Sequence, residues 1–487
     1  MRESGVLLHL SSLPSPWGIG TMGAEAYSFI DFLRRSGQRC WQLLPLYPTG
    51  YGNSPYQCLS TFAGNPYLID LRQLVQEGLL LADEPEAYDW GSDERRVDFG
   101  ALYRNRLALL RVAHSRFRPT AEYEAFCSGH SWLRDYALYM ALKDRFGAQP
   151  WTQWDAPYRN RDARTLRVFA DENADTLDFY CFTQYLFFRQ WKALRAYAAA
   201  QGISLIGDVP IYVPLDSADV WAEPQWFHLT RDGTPAAVAG CPPDSFNANG
   251  QLWGNPLYDW ARMEKDGFSW WIRRLRAAAS CYDRIRLDHF RGLESYWSVP
   301  WGAASARFGR WVKGPGAALI DAIRAALPEV RFIAEDLGFL TPEVRELLRH
   351  SGFPGMKVLE FAFDPREPGN YLPDTYTENS ACYTGTHDNE TLAGWLRLAT
   401  PEVLETARTY LKVTPQDDLR RAILRCGAQC ASDLFMAQMQ DYLGLDARMN
   451  RPGTTDAENW VWRLRRGELT DAVAQEMREL AVLGNRT

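Results

Sequence analysis

Ile285-Arg286-Leu287-Asp288 is a short apolar run of strand length that ends in a carboxylate, and the chain repeats that ending. Leu205-Ile206-Gly207-Asp208, Phe332-Ile333-Ala334-Glu335 and Tyr383-Thr384-Gly385-Thr386-His387-Asp388 close in the same way. Strand-length runs span 5–10, 40–46, 204–209, 282–287, 330–334, 356–363, 381–385 and 434–439, eight in all. Between them, helical periodicity at 23–36, 183–201, 314–327 and 341–351 predicts helices, the last opened by the capping string Thr341-Pro342-Glu343. Continuous apolar strands that alternate with helices form a parallel sheet covered on both faces. Eight such units predict an α/β fold of the (β/α)8 TIM-barrel type. A doubly wound open sheet is the competing arrangement.

The spacing is uneven, because the second strand ends near Leu46 and the third begins near Ser204. A mainly helical subdomain is expected over 67–200, inserted into one catalytic barrel that spans 1–487. Segments 214–280 and 390–432 are also long for simple connections. They are expected to be further insertions, the first carrying a loop and the second helical. No composition break marks a separate C-terminal domain.

Bulk properties narrow the function. Hydrophobic residues at 46% and charged residues at 23% fit a globular chain with a large core. A formal net charge of -7 offers no basic face for nucleic acid or anionic lipid. The apolar stretch 6–10 is too short for a signal-peptide core and is broken by His9, and no run approaches the roughly 18 apolar residues of a membrane span. A cytoplasmic location is expected. The 9 cysteines are scattered without CxxC spacing, so neither a disulfide framework nor a zinc site is indicated. Aromatic residues reach 13%, with 19 Trp. Their faces either fill the core or cover the C–H faces of sugar rings.

In a parallel barrel the four strand ends converge at the C-terminal mouth and bring Asp208, Asp288, Glu335 and Asp388 to one pocket. One such residue alone is more simply a helix cap or a turn residue. Arg286 and Asp288 lie two apart and so share a face of their strand, where the guanidinium holds the carboxylate ionised as a nucleophile at a sugar C1 requires. Glu335 and Asp336 point oppositely, so only one addresses the pocket. Glu335, after an apolar Ala, suits a general acid, and Asp336, before Leu337-Gly338, suits the turn. Two carboxyls about 5–5.5 Å apart support double displacement with retention. Asp388 would then bind sugar hydroxyls beside His387.

At this point the chain resembles the α-amylase clan through Arg286-Leu287-Asp288, Glu335 and Thr386-His387-Asp388-Asn389. The longer strings Arg286-Leu287-Asp288-His289-Phe290-Arg291-Gly292, Asn53-Ser54-Pro55-Tyr56-Gln57, Gly64-Asn65-Pro66 and Trp253-Gly254-Asn255-Pro256 are similar to the amylomaltase branch, the 4-α-glucanotransferases of glycoside hydrolase family 77. The match runs over 7–463. The resemblance implies a barrel with inserted subdomains, no separate C-terminal β-domain and no metal or organic cofactor. It implies Asp288 as nucleophile, Glu335 as acid and base, and Asp388 as transition-state stabiliser. Tyr56, Asp208, Arg286, His289, His387 and Asn459 would bind the flanking sugars. Segment 243–253 corresponds to a lid, with Phe246 and Trp253 near acceptor sugars. The donors would be α-1,4-glucans and maltooligosaccharides, and the acceptor glucose or another glucan, with cyclisation to cycloamylose as a further outcome.

Two other readings remain: an α-amylase-like hydrolase, and a non-catalytic glucan-binding barrel. The latter predicts loss of a carboxylate, whereas all three are present. Ser245 stands where the family commonly has Tyr beside the lid Phe, so a stacking surface that would favour a sugar over water is missing. Ser245→Tyr is therefore expected to lower the ratio of hydrolysis to transfer. Comparing glucose released from maltotriose with longer products formed checks this, and an unchanged ratio removes the idea.

Overall fold

The computed structural model describes residues 2–243, 248–338, 340–366 and 371–487. Twelve strands occur among them. In chain order they are β1 Glu3–Leu7, β2 Cys40–Gln42, β3 Ser204–Val209, β4 Ala237–Cys241, β5 Gln251–Pro256 and β6 Arg284–Leu287. The rest are β7 Ser295–Pro300, β8 Arg310–Lys313, β9 Arg331–Ala334, β10 Gly355–Val358, β11 Ser380–Tyr383 and β12 Leu434–Gln438. β1, β2, β3, β6, β9, β10, β11 and β12 pair in parallel and close on themselves through β1 and β12. Each of the eight expected runs supplies one barrel strand, and closure excludes the open sheet.

Period-two alternation sorts the barrel residues by face. Cys40, Ile206, Ile333, Met356, Val358, Ala381, Tyr383, Leu434 and Met436 form one buried cluster. They alternate with Trp41, Leu205, Ile285, Phe332, Cys382 and Phe435, which belong to the larger core beneath the surrounding helices. Near the mouth the interior turns polar. Tyr383 Oη donates to Gln42 Oε1 at 2.8 Å, and Asp208 lies beside Arg286 as its register partner.

The helices obey local capping chemistry. Pro342–Ser351 starts with Pro at its first position, Thr341 accepts from the Val344 amide, and Gly352 at φ 69° ends it. Thr391, Thr400 and Asp418 cap Leu392–Leu398, Pro401–Leu411 and Leu419–Gln429 in the same way. Between β2 and β3 the described elements are all helical, ending in Ala174–Ala200. That helix begins well before the expected 183, because Phe179, Tyr180 and Phe182 are buried and leave no single apolar stripe to mark its start.

A second sheet was not apparent from the sequence. β5, β4, β7 and β8 form an antiparallel sheet of four strands, so the loop after β3 and the loop after β6 fold together. β8 is short and largely exposed and carries no apolar run. Only pairing with β7 makes it a strand. At the opposite end of the chain, Asp471–Leu483 packs on Ala24–Arg35 and Leu419–Gln429. Buried Arg486 donates to the carbonyls of Glu3 at 3.0 Å and Ala428 at 2.6 Å, tying the terminus to β1. No described helix is long and apolar enough to cross a membrane. Of the 19 tryptophans, 12 are buried, and Trp41, Trp154, Trp191, Trp221, Trp270 and Trp271 fully so, which places most of them in the core.

Gly207 precedes Asp208 on β3, and a Cβ there would lie 2.1 Å from the Tyr282 ring. The missing side chain lets the ring pack against the strand. Gly207→Ala should cost about 1–3 kcal/mol of stability through overpacking, read as a lower denaturant midpoint. An unchanged midpoint would show that Tyr282 yields freely.

Candidate active site

The site begins with strand register. Asp208 on β3 pairs with Arg286 on β6, and both side chains point inward at the mouth. Arg286 Nη1 donates to Asp208 Oδ1 at 2.9 Å and Oδ2 at 2.7 Å, and to Asp288 Oδ1 at 2.8 Å. Its Nε faces Met356 Sδ at 3.4 Å. Burial opposes the charge on Arg286, but Asp208 and Asp288 outweigh it and push the guanidinium well above its ordinary range. The Asp208 side chain is 0% exposed and that of Asp288 25%, so one carboxylate supports and the other faces the cleft.

Glu335 follows β9 two residues after inward-facing Ile333, which keeps it on the pocket side. The backbone amides of His289 and Leu337 donate to its two oxygens at 2.6 and 3.1 Å. His289 adopts a left-handed φ of 54°, uncommon for a residue with a side chain, and its amide meets Glu335 from that turn. Burial pushes the Glu335 carboxyl from an ordinary 4.5 to about 8; Arg286 opposes the rise and Asp288 adds to it. Asp336 points the other way. It is 4% exposed and accepts the Met356 amide at 2.6 Å, so it pins β9 to β10 rather than serving only the expected turn.

Asp388 reaches the site from the loop after β11. Asn450 Nδ2 donates to its Oδ1 at 2.5 Å, and His387 Nε2 lies 3.3 Å from the same oxygen. Tyr56 donates to Asp208 Oδ2 at 2.7 Å while its ring stacks on His387, with centroids 4.9 Å apart. Burial, reinforced by Asp208, pushes the Tyr56 phenol well above its ordinary range and keeps it a donor. Trp253 on β5 meets His289 edge-on at 4.9 Å. Burial lowers His289 to about 4, leaving its imidazole neutral near pH 7.

Tyr56, Asp208, Arg286, Asp288 and Glu335 thus form one constellation with His289, His387 and Asp388. Asn459 lies in the connection that follows β12. Its Oδ1 accepts the Arg451 amide at 2.9 Å and its Nδ2 donates to Thr454 O and Oγ1 at 3.2 and 3.1 Å, so its amide is committed to its own loop. The neighbouring Trp460, at φ 68°, approaches the rings of Tyr56 at 5.7 Å and His387 at 5.8 Å. Trp460 and Asn450 carry no sequence signal of these contacts, since each meets the site only through chain crossing. Ser245 and Phe246 lie outside the described residues. Ala248 and Asn249, just before β5, are anchored, with Ser305 Oγ donating to Asn249 O at 3.0 Å and Arg307 Nε to Ala248 O at 2.6 Å. Among the described residues no group of three or more His, Cys, Asp or Glu is arranged to hold a metal ion.

Two carboxyls in contrasting environments, a third held beside them and a barrel mouth to contain them suit acid-assisted displacement at a sugar carbon. The comparisons agree. The model of glycoside hydrolase family 77, described as 4-alpha-glucanotransferase, matches residues 8–470. The 4-alpha-glucanotransferase of Streptococcus pneumoniae is 47% identical over 496 residues, covering 100% of this chain and 97% of the relative. That of Thermus thermophilus is 46% identical over 496 residues, covering 99% and 98%. Amylomaltase from Streptococcus agalactiae, solved in complex with acarbose, has a TM-score of 0.97 and 38% identity, with 100% of each chain covered. The chain therefore belongs to the 4-alpha-glucanotransferases of glycoside hydrolase family 77, the amylomaltases, and has their glucan-transferring activity.

Proposed function

We propose that the enzyme transfers an α-1,4-glucan segment by two displacements with net retention. Asp288 attacks C1 of the donor sugar while Glu335 protonates the departing glycosidic oxygen. The glycosyl ester on Asp288 is then opened by the 4-hydroxyl of glucose or another glucan, whose proton Glu335 accepts. Asp388 and His387 bind hydroxyls of the reacting ring and favour its oxocarbenium-like geometry. Tyr56, Asp208 and Arg286 keep Asp288 in place, His289 and Trp253 line the acceptor side, and Asn459 acts by shaping its loop. The observation that carries this reading is the contrast between the two carboxyls. Asp288 sits 2.8 Å from a buried guanidinium, whereas burial raises Glu335 to about 8 and keeps it able to give a proton near neutral pH.

The division of the chain belongs to the same reading. Residues 67–200 form a helical subdomain beside the cleft, 214–280 carry the lid at 243–253, and 390–432 buttress the Asp388 loop. Acceptor specificity then rests on the inserted segments while the chemistry stays on barrel strands. Donors are maltooligosaccharides and longer α-1,4-glucans, and large donors can close into cycloamylose.

Incubation with maltotriose should give glucose and a ladder of longer maltooligosaccharides. Asp288→Asn and Glu335→Gln should each lose several orders of magnitude in turnover while remaining folded. Near-parental transfer by either variant overturns its role.

Glu335 also sets a pH dependence. Its acid form must protonate the leaving oxygen, so kcat/KM should fall as pH rises through about 8. The folded value lies above the ordinary 4.5, so between 4.5 and about 8 the folded state holds a proton that the unfolded chain has released. This contribution to stability is present below 4.5 and is lost as pH rises to about 8. Glu335→Gln should therefore gain stability relative to the parent across that interval, measured as a widening difference in Tm. A constant difference would argue against a raised acid.

A further inference from the structure

We propose that Arg448 and Asn450 are positioning residues for the carboxylate of Asp388, forming a clamp that joins the loop after β12 to the loop after β11. The inference rests on the role given above to Asp388. Arg448 commits all three guanidinium nitrogens. Nε donates to the Asn450 carbonyl at 2.6 Å, Nη1 pairs with Glu390 Oε1 at 2.5 Å, and Nη2 donates to the Asp388 carbonyl. Asn450 then contacts Asp388 from the other side, with Nδ2 2.5 Å from Oδ1, and its own amide donates to the His387 carbonyl at 3.1 Å. One cation thereby fixes the backbone that bears Asp388 and the backbone that bears its hydrogen-bond donor.

The geometry separates this clamp from an ordinary surface ion pair. The Arg448 and Glu390 side chains are 23% and 19% exposed, whereas Asp388 is 43% exposed toward the cleft. Glu390 is itself held, since Gln438 Nε2 at the end of β12 donates to its carbonyl at 2.9 Å. Behind the loop, buried Glu360 fills the space that a side chain on Gly385 would need, 2.8 Å from the Cβ position. The loop is thus packed from beneath and stitched from the side. Asp388 would otherwise sit on a connection free to shift by an ångström, enough to weaken an interaction formed mainly in the transition state.

Guanidinium geometry matters here, because a lysine ammonium cannot reach three divergent acceptors from a rigid plane. Losing the hydrogen bond to a charged group should reduce kcat by roughly 10–100-fold. The test measures kcat and KM for maltotriose disproportionation in Asn450→Ala, Arg448→Lys and Arg448→Ala, alongside Asp388→Asn. Support would be a fall in kcat with KM changed by less than about threefold, a double Arg448→Ala/Asn450→Ala variant no slower than the product of the two singles, and partial recovery of Arg448→Ala by added guanidinium ion. Asn450→Ala leaves the Arg448–Glu390 pair intact, so it remains informative if an Arg448 variant folds poorly. Near-parental kcat in Asn450→Ala, or a rise in KM alone, while Asp388→Asn is inactive would overturn the clamp and leave the Asp388 reading standing. An active Asp388→Asn would remove that reading and the inference with it.

Discussion

The site depends on one buried guanidinium. Arg286 lies between Asp208 and Asp288 at the barrel mouth, and its position follows from parallel register, which sets it directly opposite Asp208 on the neighbouring strand. Removing one member of such a cluster leaves an uncompensated buried charge at a cost of about 3–5 kcal/mol. The arrangement therefore holds geometry rather than adding much net stability. Tyr56 extends it, passing its hydrogen bond to Asp208 and its ring to His387. Strand β3 and the segment after β6 thus meet Arg286 directly, through Asp208 and Asp288, and the loops after β2 and β11 join them through Tyr56 and then His387.

From that centre Asp288 and Glu335 are separated by environment. Asp288 keeps one oxygen on the guanidinium and part of its surface open to the cleft. Glu335 sits where burial disfavours its charge, although two backbone amides and Arg286 favour it. Burial is the largest of these effects, so the acid form prevails near neutrality. The left-handed turn at His289 connects the two residues, because the residue that follows Asp288 donates its amide to Glu335. A shift of β6 against β9 would disturb both at once.

Further out, the sheet β5-β4-β7-β8 unites the segments after β3 and β6, places Trp253 against His289 and holds Ala248 and Asn249 through Arg307 and Ser305. Asp388 is likewise braced from a second loop through Asn450 and Arg448. The barrel supplies the clustered carboxyls, and the cross-connections between its loops hold them in register.

Eight apolar runs and the carboxylates at their ends were legible in the sequence because a parallel strand buried on both faces must be continuously apolar, and because a strand end is where an inward side chain meets the mouth. The same alternation distinguished Glu335 from Asp336, since neighbouring side chains on an extended chain face opposite ways. Capping strings such as Thr341-Pro342-Glu343 were local as well and marked their helix start closely. The extra sheet was hidden, because β8 becomes a strand only when β7 lies beside it. Trp460 and Asn450 were hidden as well, because they meet the site only through chain crossing. Composition and periodicity, being local, determined the barrel and its acidic rim. Only the tertiary structure decided which polar groups face each carboxylate and what charge it can carry, because most of those contacts join residues from different strands and loops, 46 to 152 positions apart, and exist only once the barrel has closed.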